Sequence, residues 1–184
     1  MFASLFSRKA RANHDLTDGL YGQIVAAARQ PRFYAQWDVP DTPLGRFEMI
    51  GLHMFLFLRR VRGRGETLDA VAQDVTDIFF KEVDHSLREL GIGDTSVPKR
   101  MKKLARMYFG RLDAYEKALG EGDAAALAMA LQRNVRPEAA EWPQAGELAR
   151  YVLAAEAALA AESDETLLSG QVIFPDPAQL EANR

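Results

Sequence analysis

The sequence predicts an all-α fold: a single-domain bundle of about six helices with an irregular strip at its C-terminal end. Apolar residues recur at spacings of three and four almost throughout, and the strict alternation of a half-buried strand is nearly absent. The chain is 184 residues with 48% hydrophobic and 27% charged residues and no cysteine. That is the make-up of one ordinary globular domain, long enough to build a core without metal or disulfide staples. The expected layout is an N-terminal tail over 1–14, a helical domain over 15–170 and an extended tail over 171–184.

A first helix is expected from about Thr17 to Ala28, with Leu20, Ile24 and Ala27 on one face, ended by Gln30 and Pro31. Phe33, Tyr34 and Trp37 then fall within a short turn of helix before Val39-Pro40-Asp41-Thr42-Pro43 breaks the chain again. Thr42 followed by Pro43 is a good helix start, because proline at the first helical position gives up no hydrogen bond and already has a helical φ. The helix from Pro43 to about Val61 is apolar all round its middle, which marks the central core helix; its apolar run is too short to argue for a membrane span. Arg62-Gly63-Arg64-Gly65 reads as a basic turn between helices. The next helix, about Thr67 to Leu90, carries Leu68, Val71, Val75, Ile78, Phe79, Val83, Leu87 and Leu90 at spacings of three and four, with Gly91 as its cap. Pro98 opens another to about Leu119, capped by Gly120. Gly51 and Gly110 sit inside helices at a cost of about 1 kcal/mol each relative to alanine, which a close helix crossing would explain. Two alanine-rich helices follow, Asp123 to Arg133 and Pro143 to Ala161, and Gln171 to Phe174 reads as an extended strip lying on the body.

Without cysteine there are no disulfides, zinc ribbons, iron–sulfur clusters or thiol nucleophiles. Of the three histidines, His14 lies in a polar stretch, and His53 lies in the apolar run Met49 to Leu58, where a hydrogen-bonded core imidazole is expected. Glu82 and His85 form a Glu-x-x-His pair, the spacing used by carboxylate-bridged di-iron bundles. Such a site needs the motif twice and it occurs once, so a solvated face is the default. Asp74, Asp77 and Asp84 nearby keep a metal-dependent enzyme as the remote alternative. No phosphate-binding loop, nucleophile elbow or His-Glu-x-x-His motif is present, so a binding protein without a cofactor is expected rather than an enzyme.

The net charge of −3 conceals an uneven division. Residues 1–120 hold 19 Lys and Arg against 15 Asp and Glu, whereas 121–184 hold 4 against 11. Lys99, Arg100, Lys102, Lys103 and Arg106 cluster on one predicted helix, and two readings stand for them: a solvated face, or a patch that attracts RNA, anionic lipid or an acidic partner. The first residues lack the charge order of a secretory signal. Phe2, Leu5 and Phe6 backed by Arg8, Lys9 and Arg11 suit a small amphipathic contact with a membrane, a short presequence or a simple tail.

Several spaced blocks, in order, resemble the ubiquinol-cytochrome c chaperone family. They are Gly19 to Val25, Ala28 to Tyr34, Val39 to Met49, His53 to Arg60, Ser86 to Asp94 and Val97 to Lys102, so the resemblance is strongest over 15–120. It implies an assembly factor for the cytochrome bc1 complex that engages newly made cytochrome b or another subunit, and no catalytic residues. The early start of the blocks suggests the short bacterial type, cytoplasmic and peripheral on the inner face of the membrane. Under that resemblance Phe33, Tyr34, Trp37, Pro40 and Pro43 become a candidate client surface, with burial of the three rings as the alternative. The basic helix then meets the ribosome or anionic headgroups, and DNA is not expected. An RNA- or ribosome-binding adaptor is the runner-up, disfavoured by the overall acidic balance.

Overall fold

A computed structural model describes the backbone over residues 2–180 and the side chains over 14–180. Among the described residues the elements are α1 (Phe2–Ala28), α2 (Pro31–Ala35), α3 (Pro43–Val61), α4 (Glu66–Glu89), α5 (Val97–Glu121), α6 (Ala124–Val135), α7 (Ala145–Ala161) and α8 (Asp164–Leu168), with no strand. The fold is all-α, as expected. Two five-residue helices, α2 and α8, add to the longer ones.

The largest departure is at the start. The backbone is helical from Phe2, not from Thr17, because residues 2–14 are rich in alanine, basic and other helix-tolerant residues and contain no glycine or proline. An amphipathic contact through Phe2, Leu5 and Phe6 lies outside the described side chains.

α3 starts where Thr42 predicts. The threonine hydroxyl accepts from the Gly45 amide at 3.1 Å, a cap worth about 1 kcal/mol, and Pro43 occupies the first turn. Gly45 is fixed by space: a Cβ there would stand 1.9 Å from the Pro40 carbonyl oxygen. Pro40 and the first turn of α3 therefore lock together. α5 runs through Gly120 to Glu121, and the left-handed cap is Gly122, with φ of 65°. Gly120 continues the helix because Gly122 has Asp123 beside it, whose carboxylate caps α6 by accepting from Ala126 N at 2.9 Å.

α3 is the centre of the bundle and touches α1, α4, α5, α6 and α7. Met49, Leu52, His53, Met54, Phe55, Leu56 and Phe57 are buried in succession, the reason its middle is apolar on every side. Gly51 has the expected reason: a Cβ would meet the Tyr108 ring at 3.3 Å, where α3 crosses α5. Gly110 does not, since open space surrounds it.

α6 and α7 complete the same core, contributing Leu127, Leu131, Leu148, Tyr151 and Val152. Arg60, itself buried, donates to the Leu159 and Glu162 carbonyls at 2.8 and 2.6 Å and to Asp164 at 2.7 Å, which ties the ends of α3 and α7 to α8. Beyond α8 the strip is held down: Val172 N donates to Gln23 at 3.0 Å, Ile173 N donates to Glu162 at 2.7 Å, and Phe174 packs on His53.

Candidate functional site

Phe33 and Trp37 are fully packed inside, so they are corrected from client surface to core. Their partners come from far along the chain. The Phe33 ring meets Trp37 at 5.4 Å and Tyr151 at 4.9 Å, and the Trp142 indole donates to the Trp37 carbonyl at 2.9 Å. Tyr34 is half-buried; its hydroxyl donates to the Ala28 carbonyl at 2.9 Å and closes the end of α1. Pro40 is half-buried against Gly45, and Pro43 is exposed.

His53 is the core imidazole the sequence predicts. Its Nδ1 lies 2.8 Å from the Met49 carbonyl, which can only accept, so Nδ1 carries the proton. Nε2 therefore accepts from the Tyr151 hydroxyl at 2.7 Å. Burial pushes the His53 pKa down to about 4, so the ring is neutral at physiological pH. Glu82 and His85 are not brought together as a metal site: both are exposed, and His85 lies 3.2 Å from Glu89. Among the described residues no group of three or more His, Asp or Glu could hold a metal ion.

The surface feature that stands out is a groove of about 850 Å³ lined by α1, the start of α3, the end of α4 and the start of α5. Phe47, Phe79 and Leu87 form its buried base. On its rim Leu44 and Leu90 are 47% and 57% exposed, large for leucine side chains. Pro43 from the expected client surface and Arg100 and Lys103 from the expected basic patch line this one groove. Tyr21 lines it too, its hydroxyl pushed up to about 12 chiefly by burial and then by Glu82, so it remains a hydrogen-bond donor.

Lys99, Arg100, Lys102, Lys103 and Arg106 at the start of α5 are all exposed and, among the described residues, none of these five is in an ion pair, unlike Arg111 further along, which pairs with Glu48. They divide by direction. Arg100 and Lys103 turn toward the groove, while Lys99, Lys102 and Arg106 fall at helical spacing on the outer side, away from the inward Leu104 and Tyr108. Sequence reasoning missed the groove because Val83, Leu87 and Leu104 read as ordinary core stripes. Leu90 belongs to the same expected stripe, and the structure corrects it to an exposed residue at the end of α4, where the groove opens.

The sequence pattern of the ubiquinol-cytochrome C chaperones matches residues 35–174. The chain belongs to that family. The matched span takes in α3 to α8 and part of the C-terminal strip, so the acidic stretch after Gly120 is part of the family domain and not an appendage to its first 120 residues. The crystal structure of the Cbp3 homolog from Brucella abortus is 56% identical, aligns with a TM-score of 0.90 and covers 97% of this chain and 99% of that one. The ubiquinol-cytochrome-c reductase complex assembly factor 1 of Xenopus laevis is 22% identical over 157 residues, 84% of this chain and 78% of that protein. This family is one of chaperones, and the protein is not an enzyme. No helix among the described residues is long and apolar enough to cross a membrane.

Proposed function

We propose that this ubiquinol-cytochrome C chaperone assists assembly of the cytochrome bc1 complex by holding newly made cytochrome b, and that the groove between α1, α3, α4 and α5 is where the client sits. The observation that supports the groove is that two exposed leucines, Leu44 and Leu90, stand together at the mouth of an apolar trough, whereas the other exposed large apolar residues, Phe109, Met129, Leu168 and Ile173, do not line it. A client subunit of the membrane offers apolar helices, and an aqueous groove of this kind shields one face until assembly. The outer cations Lys99, Lys102 and Arg106 serve a different role in this reading: they attract the phosphates of ribosomal RNA or of anionic headgroups and keep the protein at the cytoplasmic face of the membrane where the client is made.

Deletion should remove the bc1 complex, and the tagged wild-type protein should capture cytochrome b. The Leu44→Asp/Leu90→Asp variant should fold and lose that capture; undiminished capture would remove the groove from the reading. Replacing Lys99, Lys102 and Arg106 with glutamate should abolish salt-sensitive co-sedimentation, measured separately with ribosomes and with anionic vesicles. A loss confined to ribosomes with cytochrome b capture and bc1 assembly intact in cells would favour an RNA-binding adaptor.

A further inference from the structure

We propose that the groove selects an amphipathic helix with acidic residues along the edge that faces α5. The inference rests on the groove being the client site, and it adds the chemistry of what binds there. The walls are rows of helical side chains: Tyr21, Val25 and Arg29 at a spacing of four on α1, and Arg100, Leu104 and Met107 on α5. Between two such rows the shape that fits is a third ridge of side chains at the same spacing, which an α-helix supplies with its i, i+3 and i+4 residues. The buried base of Phe47, Phe79 and Leu87 and the exposed leucines at the rim require that ridge to be apolar.

Charge sets which way it lies. On the α3 side Asp41 pairs with Arg46 at 2.6 Å, and the α4 rim carries the carboxylates Glu82 and Glu89, the latter 3.2 Å from the His85 ring. On the α1 side Arg29 acts on the Tyr21 hydroxyl with the opposite sign to Glu82 of α4. The α5 wall has no such compensation. Arg100 and Lys103 have no carboxylate partner among the described residues, and their neighbours on the helix, Lys99, Lys102 and Arg106, add charge of the same sign. A helix with acidic residues on that one edge satisfies the α5 wall without placing carboxylates against Glu82 and Glu89. A helix with lysines there places like charges together, an arrangement that costs affinity and specificity.

The test uses the purified full chain and two fluorescein-labelled peptides of about 18 residues, long enough to hold a helix, built on alanine with one leucine stripe. One carries glutamates along one edge of the stripe and the other carries lysines at the same positions. By fluorescence anisotropy at near-physiological salt, the glutamate peptide should bind at least about tenfold more tightly. Arg100→Glu/Lys103→Glu should reverse the order, and Leu44→Asp/Leu90→Asp should weaken both, with circular dichroism unchanged in each variant because all four residues are exposed. Equal binding of the two peptides, or an order unchanged by the charge reversal, overturns the inference. So does failure to bind either peptide when phosphatidylglycerol vesicles bind in a Leu90-dependent way, or when a concentration-dependent dimer is lost in the leucine variant; those results assign the groove to lipid or to a second copy. Cytochrome b capture separates the two levels. Capture that depends on Leu44 and Leu90, together with equal peptide binding, leaves the client groove standing and removes its acidic preference.

Discussion

Two buried ionisable groups on α3 pull the stability of this protein in opposite directions as pH changes. His53, with its pKa pushed down by burial to about 4 from 6.5, is neutral in the fold, so the unfolded chain binds more protons between those values. Stability from this residue is fully present above pH 6.5 and is lost as pH falls toward 4. Glu48 is the converse. Burial pushes it up from 4.5 to about 7 against the pull of Arg111, 2.8 Å away, so the folded state holds the extra proton. Its stability contribution is present below pH 4.5 and is lost as pH rises through 7. Each swing is roughly 3 kcal/mol at one pKa unit per 1.36 kcal/mol, so the two offset between pH 4.5 and 6.5. Glu48→Gln keeps the shape and removes one side of the balance. Relative to wild type it should gain stability steadily from pH 4.5 to 7, by about 1–3 kcal/mol in urea titrations. A difference between the two proteins that stays constant across that range would mean Glu48 is ionised throughout.

At the scale of elements, the start of α3 and the middle of α5 show how differently helical glycines behave. Gly45 has no room for a methyl group because the Pro40 backbone is in the way, and that backbone is the turn that starts α3 and places Pro43 and Leu44 at the groove. Gly45→Ala should cost about 3 kcal/mol or more, since a main-chain carbonyl cannot swing aside as a side chain can. Gly110, exposed on α5 with open space around it, has a helical conformation that alanine adopts more readily. Gly110→Ala should stabilise by up to about 1 kcal/mol, seen as a rise in Tm. The sequence could place both glycines inside helices but could not separate them, because the clash at Gly45 is with the turn and the space at Gly110 depends on neighbours that α5 lacks. The elements themselves were largely legible: periodicity on α3 and α4, and Thr42-Pro43 and Asp123 as caps, rest on residues adjacent in sequence. The groove was not, because its base and walls come from α1, α3, α4 and α5, and an apolar stripe reads the same whether it meets a neighbour or borders an opening. Phe33 and Trp37 show the same limit in reverse. Their burial depends on Tyr151 and Trp142, more than 100 residues away, and no local pattern reveals that lid.

Across the whole molecule, the division between a basic first part and an acidic remainder is one of charge and not of folding. α7 packs directly on α3, where Tyr151 supplies the proton that His53 Nε2 accepts, and α6 packs on α5, where Asn134 donates to the Tyr115 hydroxyl at 3.1 Å. Arg59 of α3 pairs with Glu116 of α5 and Glu156 of α7, linking both parts through one guanidinium. A fragment ending at Gly122 would keep every groove-lining residue and the five cations at the start of α5, so on composition it resembles a minimal client-binding unit. Its core says otherwise. It would lose Leu127, Leu131, Leu148, Val152 and Leu159, each fully buried and each worth about 1.5–3 kcal/mol of transfer free energy. Together these amount to roughly 10 kcal/mol, on the order of the whole stability of a domain, before the exposed faces of α3 and α5 are counted. The fragment over residues 1–122 should therefore show helical far-UV dichroism, no near-UV signal from its packed aromatics and no cooperative urea transition, the behaviour of a collapsed chain without fixed packing. A sharp transition with native near-UV signal would place the folding unit in the first 122 residues and return the acidic helices to the status of an independent attachment.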